Sequence, residues 1–80
     1  MRVVMLTRPG CNQCAMMKRI LADRVEYADA ETRPDLTALT RHTSLPVYLV
    51  IDQGGQCLGS FYGAMPLAEF ERRLALYESR

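Results

Sequence analysis

The chain has 80 residues and a mass of 9.1 kDa, with ten Lys+Arg against nine Asp+Glu and 49% hydrophobic residues. At about 100–200 residues per domain, this composition is that of one small globular domain spanning residues 1–80, with no room for separate catalytic and recognition units. A net charge of +1, with the basic residues scattered, lacks the electrostatic footprint of nucleic-acid binding or of attachment to an anionic membrane. No apolar stretch nears the ~20 residues of a membrane span. The apolar run after Arg2 ends at Arg8-Pro9, too soon for a signal peptide. The expected location is the cytoplasm, where thiols stay reduced, and the expected state is a monomer.

The elements follow from patterning. Arg2 to Thr7 is β-rich and nearly all apolar, the composition of a strand buried on both faces. Arg8-Pro9-Gly10 breaks it. Asn12 to Ala22 carries Ala15, Met16, Ile20 and Leu21 near helical spacing, with Lys18 and Arg19 between them. Asp23-Arg24 turns the chain out, and Val25 to Ala28 is a second short strand. Thr32-Arg33-Pro34-Asp35 opens a helix with proline in its first turn and an acid near the positive end of the dipole. Leu36 and Leu39 give that helix a weak apolar face, and it fades around His42-Thr43.

Leu45-Pro46 precedes Val47 to Ile51, the strongest strand signal in the chain. Asp52-Gln53-Gly54-Gly55-Gln56 has turn chemistry, so Cys57 to Tyr62 returns as a hairpin partner. After Gly63-Ala64-Met65-Pro66, the residues Leu67, Phe70, Leu74 and Tyr77 mark an amphipathic helix over Leu67 to Tyr77; the whole segment Pro66 to Ser79 serves core packing. The order β-α-β-α-β-β-α predicts an α/β sandwich with a parallel strand pair, a right-handed crossover and a closing antiparallel hairpin.

Three cysteines are an odd count, which argues against a disulfide scaffold. Cys11 and Cys14 form a C-x-x-C where the first strand meets its helix, the position of a redox dithiol. Cys11 falls at the helix N-cap or in the first turn, where N–H groups without partners point outward. The dipole favours a thiolate there by ~0.3–1 kcal/mol, enough to raise its share at pH 7 severalfold. The Cys14 thiol and Arg8 add further donors. Cys14 lies one turn further on, on the same side and more sheltered by its own helix. Cys11 is therefore the expected nucleophile toward a substrate disulfide, and Cys14 the thiol that resolves the mixed disulfide. A zinc site is the competing use of a C-x-x-C, but it needs four ligands and the only spares are Cys57 and His42.

Proline opening a central strand is unusual, because it cannot donate to the ladder. A cis Leu45-Pro46 bond leaves the Leu45 backbone free beside the sulfurs for an added substrate strand; a trans proline merely ends a loop, and spacing does not separate the two. Cys57 reads as a small buried hydrophobe rather than a regulatory thiol. His42, at the end of a weak helix, complements a dipole and has no partner that marks a general base. Of Met16 and Met17, one faces the core and the other solvent. Phe61 and Tyr62 alternate across the sheet, so only one lines a substrate groove; Phe61 is the residue assigned to it. No acid in the first strand marks a buried proton acceptor, so no general base is assigned.

Arg8-Pro9-Gly10-Cys11-Asn12-Gln13-Cys14, then Leu45-Pro46-Val47, then Phe61-Tyr62-Gly63-Ala64-Met65-Pro66, resemble the glutaredoxin-like proteins of the NrdH-redoxin type. The resemblance covers almost the whole chain in the same order. It implies a thioredoxin fold with a four-stranded mixed sheet and three helices, a cis Pro46, a nucleophilic Cys11 and a resolving Cys14. It also implies a redox-active Cys11–Cys14 disulfide with no bound cofactor, and electrons drawn from NADPH through thioredoxin reductase and passed to ribonucleotide reductase or another disulfide-containing protein. On this resemblance Arg8, Asn12, Gln13, Leu45, Pro46, Phe61 and Gly63 are the expected substrate-binding residues. Gln13 is similar to the NrdH signature, whereas ordinary glutaredoxins carry Pro-Tyr between the cysteines. Around Gly63 the acidic pair with which glutaredoxins hold glutathione is missing, and no acid follows until Glu69. The departures from the NrdH pattern are Asn12 in place of an apolar residue, Phe61 to Pro66 in place of Trp-Ser-Gly-Phe-Arg-Pro, and a longer Asp52 to Ser60 segment. A glutathione-dependent glutaredoxin is the alternative function, and a small zinc-binding interaction module the alternative of another class.

Overall fold

The computed structural model describes residues 1–78. Its elements are β1 (Arg2–Thr7), α1 (Asn12–Leu21), a 3-10 turn (Ala22–Arg24), β2 (Glu26–Asp29), α2 (Pro34–Thr37), β3 (Val47–Ile51), β4 (Cys57–Tyr62) and α3 (Leu67–Glu78). Ser79, the expected end of the last helical segment, lies outside the described residues.

The four strands form one sheet in the order β2-β1-β3-β4. β1 and β2 run parallel, with Val4 opposite Glu26 and Thr7 opposite Asp29. β3 is antiparallel to both β1 and β4. The two central strands are buried on both faces, because apolar side chains alternate into two clusters. Val3, Met5, Tyr48, Val50 and Phe61 face α1 and α3 and meet Cys14, Met17, Leu21 and Phe70. Val4, Leu6, Val47, Leu49 and Ile51 face the other way, where Leu36 of α2 packs. Met17 is fully buried and Met16 39% exposed, as the helical spacing predicts.

Two expectations are corrected. β2 is shifted by one residue, to Glu26–Asp29: Val25 is buried in the α1 cluster, and the parallel ladder begins after it. The second helix does not reach His42; it is a single turn over Pro34–Thr37. Leu39 is 46% exposed, so only Leu36 docks on the sheet, and one buried side chain does not sustain a longer helix. The Thr37 hydroxyl donates back to the Pro34 carbonyl, and the Thr40 hydroxyl reaches across to that of Ser60 in β4.

The hairpin between β3 and β4 turns at Asp52, whose carboxylate accepts from the Gln56 N–H at 2.9 Å, with Gly55 at φ +86°. Ile51 pairs with Cys57 and Val50 with Gly59, so Leu58 is bulged out of the ladder. That extra residue accounts for part of the length of the Asp52 to Ser60 segment.

Candidate active site

Three segments converge at the end of β1. The first is the turn from β1 into α1. The Cys11 N–H donates to the Arg8 carbonyl at 3.3 Å, and Gly10, between them, has φ +80°, a conformation that favours glycine. Cys11 then takes the extended conformation of an N-cap, and its Sγ accepts from the Cys14 N–H at 3.1 Å. A sulfur thus fills the place usually taken by a Ser or Asp oxygen. The first turn of α1 holds no acid, and Lys18 and Arg19 lie in the last turn, so side-chain charge does not cancel the positive end of the dipole.

Cys11 and Cys14 are joined by a disulfide, with Cα atoms 5.2 Å apart. The two sulfurs are unequal. Cys14 is 2% exposed and packed within the α1 cluster; Cys11 is half-buried at its edge. Asn12, Gln13 and Arg8 are exposed around the pair.

The second segment is Leu45-Pro46. The bond is cis, the isomer that the resemblance implied and that spacing left open. Pro46 is buried, while Leu45 is half-buried and packs against both apolar clusters. The third segment is the Gly63 to Pro66 loop. The Gly63 N–H donates to the Pro46 carbonyl at 2.9 Å, and the Gly63 carbonyl accepts from the Tyr48 hydroxyl at 2.9 Å. The Met65 N–H points at the Met17 sulfur at 3.4 Å, which ties the same loop to α1. Burial raises the Tyr48 pKa well above the usual phenol value, so the hydroxyl stays protonated and remains a donor.

Phe61 is corrected. It is 7% exposed and stacked between Tyr48, Phe70 and Tyr77 in the α1 cluster. Tyr62 is the exposed member of the pair; it lies opposite Val47 on the second face of the sheet, with its ring 4.7 Å from that of His42. Strand alternation separates the two aromatics but does not say which one faces the core. His42 accordingly caps no helix: its backbone N–H is held by the Thr40 hydroxyl. Tyr48 was not singled out in the sequence, since a tyrosine within an apolar strand gives no sign of where its hydroxyl ends.

Cys57 is half-buried against the second cluster, and its thiol donates to the Gly59 carbonyl at 3.4 Å. Among the described residues no three His, Cys, Asp or Glu side chains gather as a metal site would need. Among the described residues no helix is long and apolar enough to cross a membrane.

No protein-family model and no curated protein matches the chain. Among solved structures, the chain is similar to thioredoxin 1 from the thermophilic eubacterium Thermosipho africanus TCF52B, with a TM-score of 0.61 and 17% identity; the match covers 98% of this chain and 99% of that one. The chain has a thioredoxin fold. Within that fold, it carries a C-x-x-C disulfide at the N-terminus of its first helix.

Proposed function

We propose that the protein is a dithiol–disulfide oxidoreductase that reduces disulfides in other proteins. One observation carries this reading: the more accessible sulfur, Cys11, caps α1 and accepts a backbone N–H, while its disulfide partner Cys14 is buried. In the reduced form the Cys11 thiolate attacks an acceptor disulfide and one acceptor sulfur leaves as a thiolate. The Cys14 thiolate then attacks Cys11 Sγ, closing the intramolecular disulfide and releasing the second acceptor sulfur. Two electrons and two protons move from the dithiol to the acceptor. Helix amides stabilise the attacking thiolate, and proximity favours closure over loss of the mixed disulfide to side reactions.

More finely, we read the chain as an NrdH-like donor, reduced by NADPH through thioredoxin reductase and delivering electrons to ribonucleotide reductase. Gln13 beside Cys14 and the lack of an acid near Gly63 support this over a glutathione-dependent glutaredoxin. The test is turnover of the Cys11–Cys14 disulfide by NADPH and thioredoxin reductase, run beside a glutathione and glutathione-reductase system. Turnover only in the first supports the donor reading. Turnover only with glutathione replaces it with the glutaredoxin reading.

A further inference from the structure

α1 buries three side chains, Cys14, Met17 and Leu21. Met17 and Leu21 are both fully buried, and apolar packing alone would accept a leucine at either place. Met17 does one thing that a leucine does not. One turn beyond Cys14, its sulfur takes the Met65 N–H at 3.4 Å in a buried setting. A thioether is a weak acceptor, but a buried N–H with no partner at all is costlier than one on sulfur.

The place of this bond gives it a use. The loop from Gly63 to Pro66 is anchored on two sides. On the sheet side, the Gly63 N–H donates to the Pro46 carbonyl, and the Gly63 carbonyl accepts from the Tyr48 hydroxyl. On the helix side, the anchor is Met65 on Met17. The loop is thus a strut between the helix that the two sulfurs open and the cis Leu45-Pro46 bond. Leu45 and Pro46 lie outside the ladders of β3, which begin at Val47 on both sides. The strut, rather than a ladder, sets how far they stand from Cys11.

We propose that Met17 is a positioning residue for protein acceptors, a role that rests on the reading of Cys11 and Cys14 as a disulfide-reducing pair. Its sulfur holds the loop, and through the loop Leu45-Pro46, at a fixed spacing from Cys11. An acceptor with a main chain engages both places, its sulfur at Cys11 and its backbone at Leu45. A small disulfide engages Cys11 alone. Without the Met17 sulfur, the Met65 N–H turns toward water and the loop shifts, which penalises the first kind of substrate. The Cys14 N–H stays on Cys11 Sγ, so the reactivity of the sulfurs is unchanged.

Two variants of the full chain test this. Met17→Leu keeps the volume and removes the acceptor. Met17→norleucine, placed by chemical synthesis of the 80-residue chain, puts a methylene where the sulfur was. Each protein is reduced with dithiothreitol, freed of it, and mixed either with a peptide disulfide that has extended flanks or with a small aromatic disulfide. In each reaction the Cys11–Cys14 bond forms as the substrate's S–S bond breaks. In both variants the half-saturating peptide concentration is expected to rise about tenfold, with the limiting rate and the small-disulfide rate within about twofold of wild type. Deuterium exchange of the Met65 amide, read by NMR, is expected to quicken about tenfold. Met16→Leu, at the exposed neighbour, changes none of these. An equal loss with both substrates, an unchanged half-saturation, an unchanged Met65 exchange, or an effect of leucine that norleucine does not share overturns the proposal and leaves disulfide reduction standing. If the wild type reduces neither substrate, the oxidoreductase reading fails with it.

Discussion

The Cys14 backbone N–H donates to the sulfur of Cys11 across 3.1 Å, so the two residues joined by a disulfide also close the first turn of α1. The arrangement makes the sulfurs unequal before any substrate arrives. One is at the edge, with a helical amide aimed at it; the other is 2% exposed within the apolar cluster under α1. Opening the disulfide leaves the amides in place, so a negative charge on Cys11 inherits the N-cap position.

Substitution of each cysteine separates the two roles. Cys11→Ser is expected to abolish reduction of every disulfide substrate. Cys14→Ser is expected to stall at the mixed disulfide between Cys11 and the acceptor, which intact-mass measurement detects and dithiothreitol reverses. A stable adduct through Cys14 in the Cys11→Ser protein, at a rate matching the first, contradicts the assignment.

Thiol reactivity follows the same asymmetry. In the reduced protein, Cys11 is expected to react with iodoacetamide faster than free cysteine in mildly acidic buffers, because the helix terminus keeps a larger share of it ionised. Cys14 and Cys57 are expected to lag, Cys14 through burial and Cys57 because it is half-buried with its thiol turned onto the Gly59 carbonyl. Peptide mapping after timed alkylation gives the order of the three.

Tyr48 acts on the site through Gly63 and Pro46 and is a positioning residue. Tyr48→Phe removes the donor to the Gly63 carbonyl, with an expected loss of about 1 kcal/mol of stability. The KM for a protein acceptor is expected to rise more than kcat falls, since the loop facing the disulfide loosens while the sulfurs stay. The pH dependence has a definite sign. The folded-state pKa of Tyr48 is raised by burial, so its contribution is complete below the unfolded phenol pKa near ~10 and declines as pH rises through that value toward the folded one. Wild-type stability should therefore fall in alkali more steeply than that of Tyr48→Phe, as urea melts across that range would record.

Phe61 and Tyr62 are adjacent, but their replacement should have opposite consequences. Phe61→Ala empties an aromatic core position between Tyr48, Phe70 and Tyr77, and about 3 kcal/mol or more of stability should go with it. In a domain whose whole margin is of order 5–15 kcal/mol, that is visible in any melt. Tyr62→Ala removes an exposed ring that touches His42, with a stability change expected within ~0.5 kcal/mol. A melting temperature unchanged from the wild type is the expected signature of Tyr62→Ala.

Much of this protein was legible along the chain, because the deciding interactions are short in range. A proline and glycine after an apolar run end β1, and Cys11 then caps a helix whose periodicity puts Cys14 on the same side one turn later. The β-rich run after Pro46 and the turn residues from Asp52 place the central hairpin. Local sterics and hydrogen bonding set these features, and they survive whatever the rest of the chain does.

Contacts between distant segments decided the remainder. The length of α2 depended on how many of its leucines reach the sheet, and only Leu36 does. The parity of β4 was visible but its sign was not: pairing of Tyr48 with Phe61, and of Val47 with Tyr62, turned one aromatic inward and the other to solvent. The hydroxyl of Tyr48 found its acceptor 15 residues away, and Leu45 came to separate two apolar layers. Such outcomes follow from packing and satisfaction of buried polar groups in three dimensions, where neighbours in space are strangers in sequence.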